Sequence, residues 1–338
     1  MLLATLMLVI YPAVAKQDYK QTNLVSNVSG LAKFTDPNLV NPWGLARSST
    51  SPWWISDNGM GISTLYNGSG NPFPIGSPLV VAIPPGGSSP TGVVFNSGTD
   101  FNVNPGNPAK FIFVSEDGRV TGWNSGKNAV IKINNSAGGA VYKGAAIANN
   151  KGKDYLFVAN FHSGTIEVYD TSFKKVSLGN KFKDGKLPKG FAPFNIVNIN
   201  GDLFVTFAKQ NTQKHDDVAG PGLGYVDKFS PDGKLLMRLN HGSWMNSPWG
   251  VALAPSNFGK LSNKLLVGNF GSGNIGIFDP KNGNFDGFFK NDKGMITIDG
   301  LWALVFGNGA EAGPSNVLFF TAGINGEADG LFGTISIN

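Results

Sequence analysis

One stretch of the chain, 208–224, concentrates side chains that can transfer protons or bind metals. Its sequence, AKQNTQKHDDVAGPGLG, places His215 directly before Asp216 and Asp217. A histidine beside carboxylates can be a metal ligand or a general base that an acid orients. The alternative is an ordered Ω-like loop whose aspartates cap its own backbone amides. The sequence leaves both interpretations open.

The three histidines of the chain all fall in predicted loops, and the other two are His162 and His241. Together with Asp216 and Asp217 they would supply nitrogen and oxygen donors, which suit zinc, iron or manganese. The three histidines are therefore candidate catalytic bases or metal ligands. Nothing in their spacing selects one metal.

A second candidate metal site would use oxygen donors alone. Asn41, Asn195 and Asp299 each precede or begin a short apolar run, so all three could point into one channel mouth. Oxygen donors suit calcium. The alternative is that Asn41 and Asp299 are turn formers before proline and glycine.

Composition and missing motifs narrow the function classes. The net charge is only +5, and a lysine-rich segment, 174–189, is interpreted as a solvated loop, so no nucleic-acid partner is expected. The chain has no cysteine, no G-x-S-x-G elbow, no H-E-x-x-H helix and no Walker loop. These absences exclude a thiol nucleophile and the common hydrolase and nucleotide-binding motifs.

The elements that must position these residues belong to a unit repeated six times. The six copies open with NPWGLA, PTGVVF, YKGAAIA, PFNIVNI, PWGVALA and GLWALVF. The residues taken as equivalent in these openings are Gly44, Gly92, Gly144, Asn195, Gly250 and Trp302. A period of about fifty residues with several short strands per unit predicts an all-β, six-bladed β-propeller. Three tryptophans near the openings are expected to pack between blades: Trp43, Trp249 and Trp302.

In a propeller, the loops before each first strand and those between the second and third strands lie on one face. Functional groups usually gather there, so a small molecule, a glycan or a protein partner is expected to bind on this face. The predicted ligand-face residues are Asp57, Asn58, Glu116, Lys209, Asp216, Asp217 and Asn269.

The two ends of the chain carry further signals. Residues 1–15, MLLATLMLVIYPAVA, combine an apolar core with an A-x-A motif and are predicted to be a signal peptide. We therefore expect a secreted or periplasmic protein with one propeller domain, 16–338, and no membrane span. The last copy ends after its third strand, and a spare strand-like run, 22–28, is predicted to complete that blade and close the ring. A closed ring leaves no sheet edge to pair, so a monomer is expected.

Several of these strings together resemble a functionally uncharacterised family of exported, NHL-repeat-like six-bladed propellers. The most specific string is KHDDVAGPG, and NPWGLA and SDNGMG accompany it. The resemblance implies the propeller fold and export. A more distant likeness, to the gluconolactonase, paraoxonase and strictosidine synthase-like propellers, implies a calcium site built from a Glu, an Asn and an Asp. Asn195 and Asp299 match the last two, whereas Asn41 stands where an acid would be expected.

Two functional hypotheses follow. The first is a secreted binding or scaffold propeller that uses its loop-rich face to hold a glycan, a polymer or a protein. The second is a metal-dependent hydrolase of the lactone or ester type. It would use Asn195 and Asp299 as ligands, one of the histidines as base, and calcium or another divalent metal as cofactor.

Overall fold

Six β-sheets form a six-bladed propeller in the computed structural model, which describes residues 18–179 and 181–338. The predicted fold class is confirmed. The predicted signal peptide lies outside the described residues. Helical structure in the described ranges is confined to short 3-10 turns, at Asn58–Met60, Ser136–Gly138 and Gly259–Leu261. No helix in these ranges is long and apolar enough to cross a bilayer.

The first three blades are antiparallel sheets of four strands each. Two strands precede them, β1 (Tyr19–Ser26) and β2 (Phe34–Thr35). The first blade consists of β3 (Pro42–Ala46), β4 (Trp53–Asp57), β5 (Ile62–Tyr66) and β6 (Val80–Ala82). The second comprises β7 (Pro90–Phe95), β10 (Phe111–Ser115), β11 (Arg119–Trp123) and β12 (Val130–Asn134), with an inserted hairpin of β8 (Asn102–Asn104) and β9 (Asn107–Pro108). The third comprises β13 (Tyr142–Asn150), β14 (Lys153–Asn160), β15 (Thr165–Tyr169) and β16 (Lys175–Val176).

The remaining blades follow the same plan. The fourth comprises β17 (Phe191–Ile199), β18 (Asp202–Lys209), β19 (Gly224–Phe229) and β20 (Leu235–Arg238). The fifth comprises β21 (Pro248–Leu253), β22 (Leu265–Asn269), β23 (Ile275–Phe278) and β24 (Phe285–Phe288), and a hairpin of β25 (Lys290–Asn291) and β26 (Gly294–Met295) follows it. The sixth comprises β27 (Leu301–Phe306), β28 (Leu318–Ala322) and β29 (Leu331–Ile337), completed by β1.

The N-terminal strand closes the ring, as predicted. β1 pairs antiparallel with β29, from Tyr19 opposite Ile337 to Ser26 opposite Leu331. The strand lies slightly earlier in the sequence than the predicted run 22–28. Its first residue is anchored to the neighbouring fifth blade, because the Tyr19 hydroxyl donates to the Phe258 carbonyl at 2.8 Å. Hydrogen bonds and side-chain packing therefore close the propeller without a disulfide.

Small residues let the inner strands of adjacent blades approach closely. A Cβ added to Gly44 would lie 2.4 Å from the Thr91 carbonyl oxygen, and one added to Gly250 would lie 2.7 Å from that of Trp302. The Cβ added to Gly250 would also lie close to the Leu304 amide nitrogen. Its contacts therefore flank Ala303, which is the equivalent residue of the sixth blade. The sequence-based equivalence of Trp302 with the glycines is therefore wrong by one residue, because the sixth opening has no glycine to mark the place.

The side chains one position earlier fill the channel with an aromatic plug, formed by Trp43, Phe194, Trp249 and Trp302. Trp43 and Trp302 stack with ring centroids 3.6 Å apart, and Trp249 meets Trp43 edge-on at 5.0 Å. All four side chains are buried. The predicted packing of the three tryptophans is confirmed, and their burial leaves their faces unavailable to a ligand.

Candidate functional site

The segment of 210–223, here called the mouth loop, crosses the end of the channel above the aromatic plug. It connects β18 to β19 in the fourth blade but reaches its neighbours on both sides. Asp216 Oδ1 lies 3.9 Å from Lys143 Nζ of the third blade. The Gly220 amide donates to Asn246 Oδ1 at 2.7 Å, just before the fifth blade begins. The only long insertion predicted between second and third strands therefore forms a bridge over the channel mouth.

An asparagine fixes the conformation of the mouth loop. Asn211 Oδ1 accepts a hydrogen bond from the His215 amide at 3.1 Å, and Asn211 Nδ2 donates to Asp216 Oδ2 at 3.3 Å. The Asn211 amide also donates to the Asp216 carbonyl at 2.9 Å. The loop is thus ordered by internal capping, although Asn211 does the capping rather than the aspartates. The capping directs His215 and Asp216 towards the second and third blades.

A buried lysine occupies the centre of the site. Lys143, on β13, is 1% exposed and forms an ion pair with Glu116, which is 12% exposed and follows β10. Its ammonium lies 4.8 Å from the centroid of the Trp43 ring and 5.7 Å from that of Phe161. Aromatic faces stabilise a cation that has lost its water. Lys143 thus stands at the place in its repeat that aromatic residues occupy in four other blades.

A chain of hydrogen bonds extends from this ion pair to the first and sixth blades. Asn58 Nδ2 donates to Glu116 Oε2 at 3.0 Å, and Asn41 Nδ2 donates to Asn58 Oδ1 at 3.3 Å. Asn41 Nδ2 also donates to Glu327 Oε2 at 2.8 Å, while its Oδ1 accepts from the Trp302 indole at 3.1 Å. These contacts define the mouth cluster, which consists of Asn41, Asn58, Glu116, Lys143, His215, Asp216, Asp217 and Glu327.

The mouth cluster contains four carboxyl groups but only one ammonium group, so acidic groups outnumber basic ones. Burial raises the pKa of Glu327, and the charges of Glu116 and Asp217 raise it further, although a hydrogen bond from Asn41 opposes them. Burial also raises the pKa of Asp217, against a hydrogen bond with Ser247 and the charge of Lys143. Apart from this contact with Ser247, the buried Oδ2 of Asp217 has no hydrogen-bond partner among the described residues. A cation or a hydrogen-bond donor at this place would therefore be stabilised.

A histidine–aspartate pair faces this cluster. His215 Nδ1 lies 2.7 Å from Asp216 Oδ1, and the two side chains are 46% and 61% exposed. Potential ligand atoms of His215, Asp216 and Glu116 all lie within 4.8 Å of one another. This arrangement can orient an imidazole as a base or hold a metal ion.

The other two histidines lie apart from the pair. His162 is exposed, and its carbonyl accepts a weak hydrogen bond from Gln210 Nε2 at 3.3 Å. The His241 ring stacks on Tyr225 at 4.1 Å, and its Nε2 lies 3.0 Å from the Gly222 carbonyl oxygen. The structure therefore brings one of the three candidate histidines to the acidic cluster.

The three residues of the predicted calcium set have separate partners. Asn41 belongs to the mouth cluster, whereas Asn195 Nδ2 donates to the Trp249 carbonyl at 3.0 Å inside the channel wall. Asp299 is exposed, and its Oδ2 accepts from the Asn325 amide at 2.9 Å. Within the described ranges, no hydrogen bond joins any two of these three side chains.

The remaining ligand-face candidates have structural partners. Asp57 is fully buried, and its Oδ2 accepts from the amide and the hydroxyl of Thr64 at 2.9 and 2.8 Å. Burial raises the pKa of Asp57 well above its ordinary value. Lys209 Nζ donates to the Lys189 carbonyl at 3.3 Å. Asn269 Oδ1 accepts from the Asn246 amide at 2.9 Å and so supports the loop that receives Gly220.

Two central residues, Lys143 and Glu327, were missed by the sequence reasoning. Lys143 carried a detectable signal, because it puts a charge where the openings PWGLA and PWGVA have tryptophan. Glu327 lies in the last turn between second and third strands and is 286 residues from its partner Asn41. No local pattern marks such a distant contact.

Comparisons with known proteins agree with the fold. No protein-family model matches the chain. Over 96% of its length the chain is 33% identical to Uncharacterized protein R648 of Acanthamoeba polyphaga mimivirus, covering 82% of that protein. It is 31% identical to Uncharacterized protein L690 of the same virus, covering 96% of this chain and 87% of that one.

Among solved structures, streptogramin B lyase matches with a TM-score of 0.56 and 9% identity, over 95% of this chain and 98% of the other. Likeness at that identity supports the propeller fold alone. The identity to the two viral proteins over nearly the whole chain is much higher. The chain therefore belongs to the protein family that contains R648 and L690 of Acanthamoeba polyphaga mimivirus.

Proposed function

We propose that the protein is an exported binding propeller whose mouth cluster receives a positively charged group of a partner protein. The observation that carries this proposal is the imbalance of four carboxyl groups against one buried ammonium in the mouth cluster. A lysine or arginine side chain of the partner would supply charge-assisted hydrogen bonds to these carboxylates.

The position and rigidity of the site support binding. The mouth loop is held by the third and fifth blades, and Asn41 is fixed by Trp302 of the aromatic plug. A preorganised acceptor loses little conformational entropy when the ligand arrives. The buried tryptophans offer no exposed ring face, which favours recognition of charge over stacking of a sugar.

The binding proposal is tested with basic peptides. A fluorescent peptide rich in lysine and arginine is titrated with the protein in the presence of a chelator, and anisotropy is measured against an acidic peptide of equal length. We expect the basic peptide alone to bind, with an affinity that falls as salt rises. The double variant Asp217→Asn/Glu327→Gln should bind at least about tenfold more weakly, because it removes two charge-assisted contacts.

A matched control removes two carboxylates elsewhere. Asp202 and Asp286 form ion pairs with Lys228 and Lys264, at 2.7 and 2.8 Å. The double variant Asp202→Asn/Asp286→Asn changes the net charge equally and should leave peptide affinity unchanged. Equal losses in both double variants would show that only overall charge matters and would contradict the proposal.

A second candidate function, a hydrolase of the lactone or ester type, is favoured by the hydrogen bond between His215 and Asp216. An acid-oriented imidazole can activate a water molecule. Hydrolysis of a panel of lactones and aryl esters would be compared between the wild type, His215→Gln and His162→Gln. Activity that is lost only in His215→Gln would support this function, and activity that survives in His215→Gln would exclude this base.

A further inference from the structure

We propose that Glu116, His215 and Asp216 form a binding site for one divalent transition-metal ion. This inference goes beyond the proposed capture of a basic partner, although both concern the channel mouth. The three ligand atoms come from two blades that are not adjacent, the second and the fourth, and lie at most 4.8 Å from one another. In the tetrahedral geometry of zinc, two ligand atoms that each lie 2.0–2.2 Å from the ion are about 3.3–3.6 Å apart. The widest pair must therefore close by about 1.2–1.5 Å.

The side chains can make this adjustment. His215 and Asp216 are about half exposed, at 46% and 61%, so their side chains have room to rotate. Glu116 is mostly buried and gives the site a fixed point. A geometry with one fixed and two adjustable ligands suits binding of an ion without a change in the fold.

The donor types select the class of metal. The set offers one imidazole nitrogen and two carboxylate oxygens. Calcium and magnesium take oxygen ligands, whereas imidazole favours zinc, cobalt, iron or nickel, and carboxylates are compatible with zinc and manganese. We therefore expect Zn²⁺ and Co²⁺ to bind in preference to Ca²⁺.

Outer-shell contacts orient each ligand. Asn58 Nδ2 donates to Glu116 Oε2 at 3.0 Å, and Asn211 Nδ2 donates to Asp216 Oδ2 at 3.3 Å. Asn211 also fixes the backbone of His215 through the hydrogen bond at 3.1 Å. Both carboxylates thus keep acceptor capacity for an ion, because a carboxylate has about four lone-pair positions. Such supporting contacts are typical of metal sites.

A neighbouring side chain would gain from an ion at the site. Asp217 follows the ligand Asp216 in the chain, and apart from its contact with Ser247 the buried Oδ2 has no hydrogen-bond partner among the described residues. A buried acceptor that is short of donors is costly. A water molecule bound to the ion would offset this cost.

Lys143 competes with the metal in this arrangement. Its ammonium pairs with Glu116 and lies 3.9 Å from Asp216 Oδ1, so it neutralises part of the ligand charge. An incoming cation must approach this ammonium or displace it from Glu116. Replacing Lys143 by an uncharged residue of similar length should therefore tighten metal binding.

The experiment titrates the purified chain with Co²⁺ and records visible d–d absorption, and Zn²⁺ is then titrated by calorimetry. We expect one equivalent of each metal to bind, with a d–d spectrum that Zn²⁺ abolishes. His215→Gln and Glu116→Gln should each weaken Co²⁺ binding at least about tenfold, because even outer-shell losses cost that much. His162→Gln, which removes an exposed histidine of the same face, is the matched control and should bind as the wild type does.

Three results would overturn the inference: no stoichiometric Co²⁺ binding, unchanged binding in His215→Gln, or equal loss in His162→Gln. Lys143→Met adds a second test, since weaker Co²⁺ binding in this folded variant would contradict the competition described above. If Lys143→Met does not fold, the histidine variants still decide. Peptide binding measured in the presence of a chelator separates the two proposals. If the basic peptide binds but Co²⁺ does not, the metal site is refuted and the proposed function stands.

Discussion

Two charged clusters begin at consecutive residues of β13 and differ in how well their charges are satisfied. The side chains of Tyr142 and Lys143 enter different clusters, at a place where the pairing of β13 with β14 shifts register. The Tyr142 side chain belongs to a cluster around Glu167, which is 9% exposed. Glu167 Oε2 accepts from the hydroxyls of Tyr142 and Tyr169 at 2.7 and 2.5 Å, and Oε1 accepts from Lys175 at 2.7 Å.

The pKa shifts of the two clusters have opposite signs. Burial acts to raise the pKa of Glu167, but hydrogen bonds from Lys175, Tyr142 and Tyr169 outweigh it, so the pKa is lowered. In the mouth cluster, burial raises the pKa of Glu327 and the single asparagine contact does not compensate. Buried charge therefore does not identify a functional site by itself. An uncompensated carboxyl at an accessible channel mouth is the informative feature.

The largest difference in stability should appear when the lysine of each cluster is replaced. Lys143→Met leaves Glu116 without its buried partner and should lower the free energy of unfolding by about 3–5 kcal/mol. Lys175→Met removes an ion pair whose lysine is 59% exposed, and should cost about 0–1 kcal/mol. Urea unfolding of both variants at pH 7.5 measures the difference, and equal losses would remove the distinction between the clusters.

Glu167→Gln should have the next largest effect. The amide replaces a charged acceptor that receives hydrogen bonds from two tyrosines and a lysine. We expect a loss of about 2–3 kcal/mol in the free energy of unfolding, since hydrogen bonds to charged groups are the strong ones. A loss below about 0.5 kcal/mol in urea unfolding would contradict the view that this cluster is structural.

The same substitution in the mouth cluster should have little effect on stability. Glu327→Gln removes a carboxyl whose burial is poorly compensated, so the free energy of unfolding at pH 8 should change by less than about 1 kcal/mol and tend to rise. Its basic-peptide affinity should fall. A large destabilisation with unchanged peptide binding would place Glu327 with Glu167 as a structural residue.

The smallest effects concern how stability depends on pH. The contributions of Glu327 and Glu167 to the free energy of unfolding should change with pH in opposite directions. A raised pKa for Glu327 means that its stabilising contribution is present below the ordinary value of 4.5 and is lost as pH rises through the folded value. A lowered pKa for Glu167 means that its contribution is present above 4.5 and is lost as pH falls through the folded value. Urea midpoints of the wild type and both glutamine variants, measured between pH 3.5 and 8, test this difference.

The mouth loop shows which parts of the candidate site local sequence patterns can predict. The sequence singles out the stretch 208–224 as an exception to the repeat, and it offers an interaction of His215 with Asp216 or Asp217 as one of two interpretations. The interaction between neighbouring residues is local, so spacing alone suggests it. The third residue of the proposed metal site, Glu116, is predicted only as one of several ligand-face residues. Sequence spacing does not show how far the mouth loop reaches across the channel.

By itself, the sequence determined the repeat and hence the ring. Short apolar strands at a regular period, separated by glycine and asparagine turns, can bury their faces only against copies of themselves. The unpaired third strand at the C-terminal end and the spare strand near the N-terminus required the closure that β1 and β29 form.

Only the tertiary structure decided which polar residues meet. Closing the ring brings Asn41 and Glu327 together across 286 positions. It also places Lys143 beside Glu116 of the second blade and Asp216 of the mouth loop. These contacts depend on how the six blades pack, and the glycines at the blade openings allow the inner strands to approach closely. Local sequence carries no record of such distances, so the charge imbalance at the channel mouth emerges only in the folded chain.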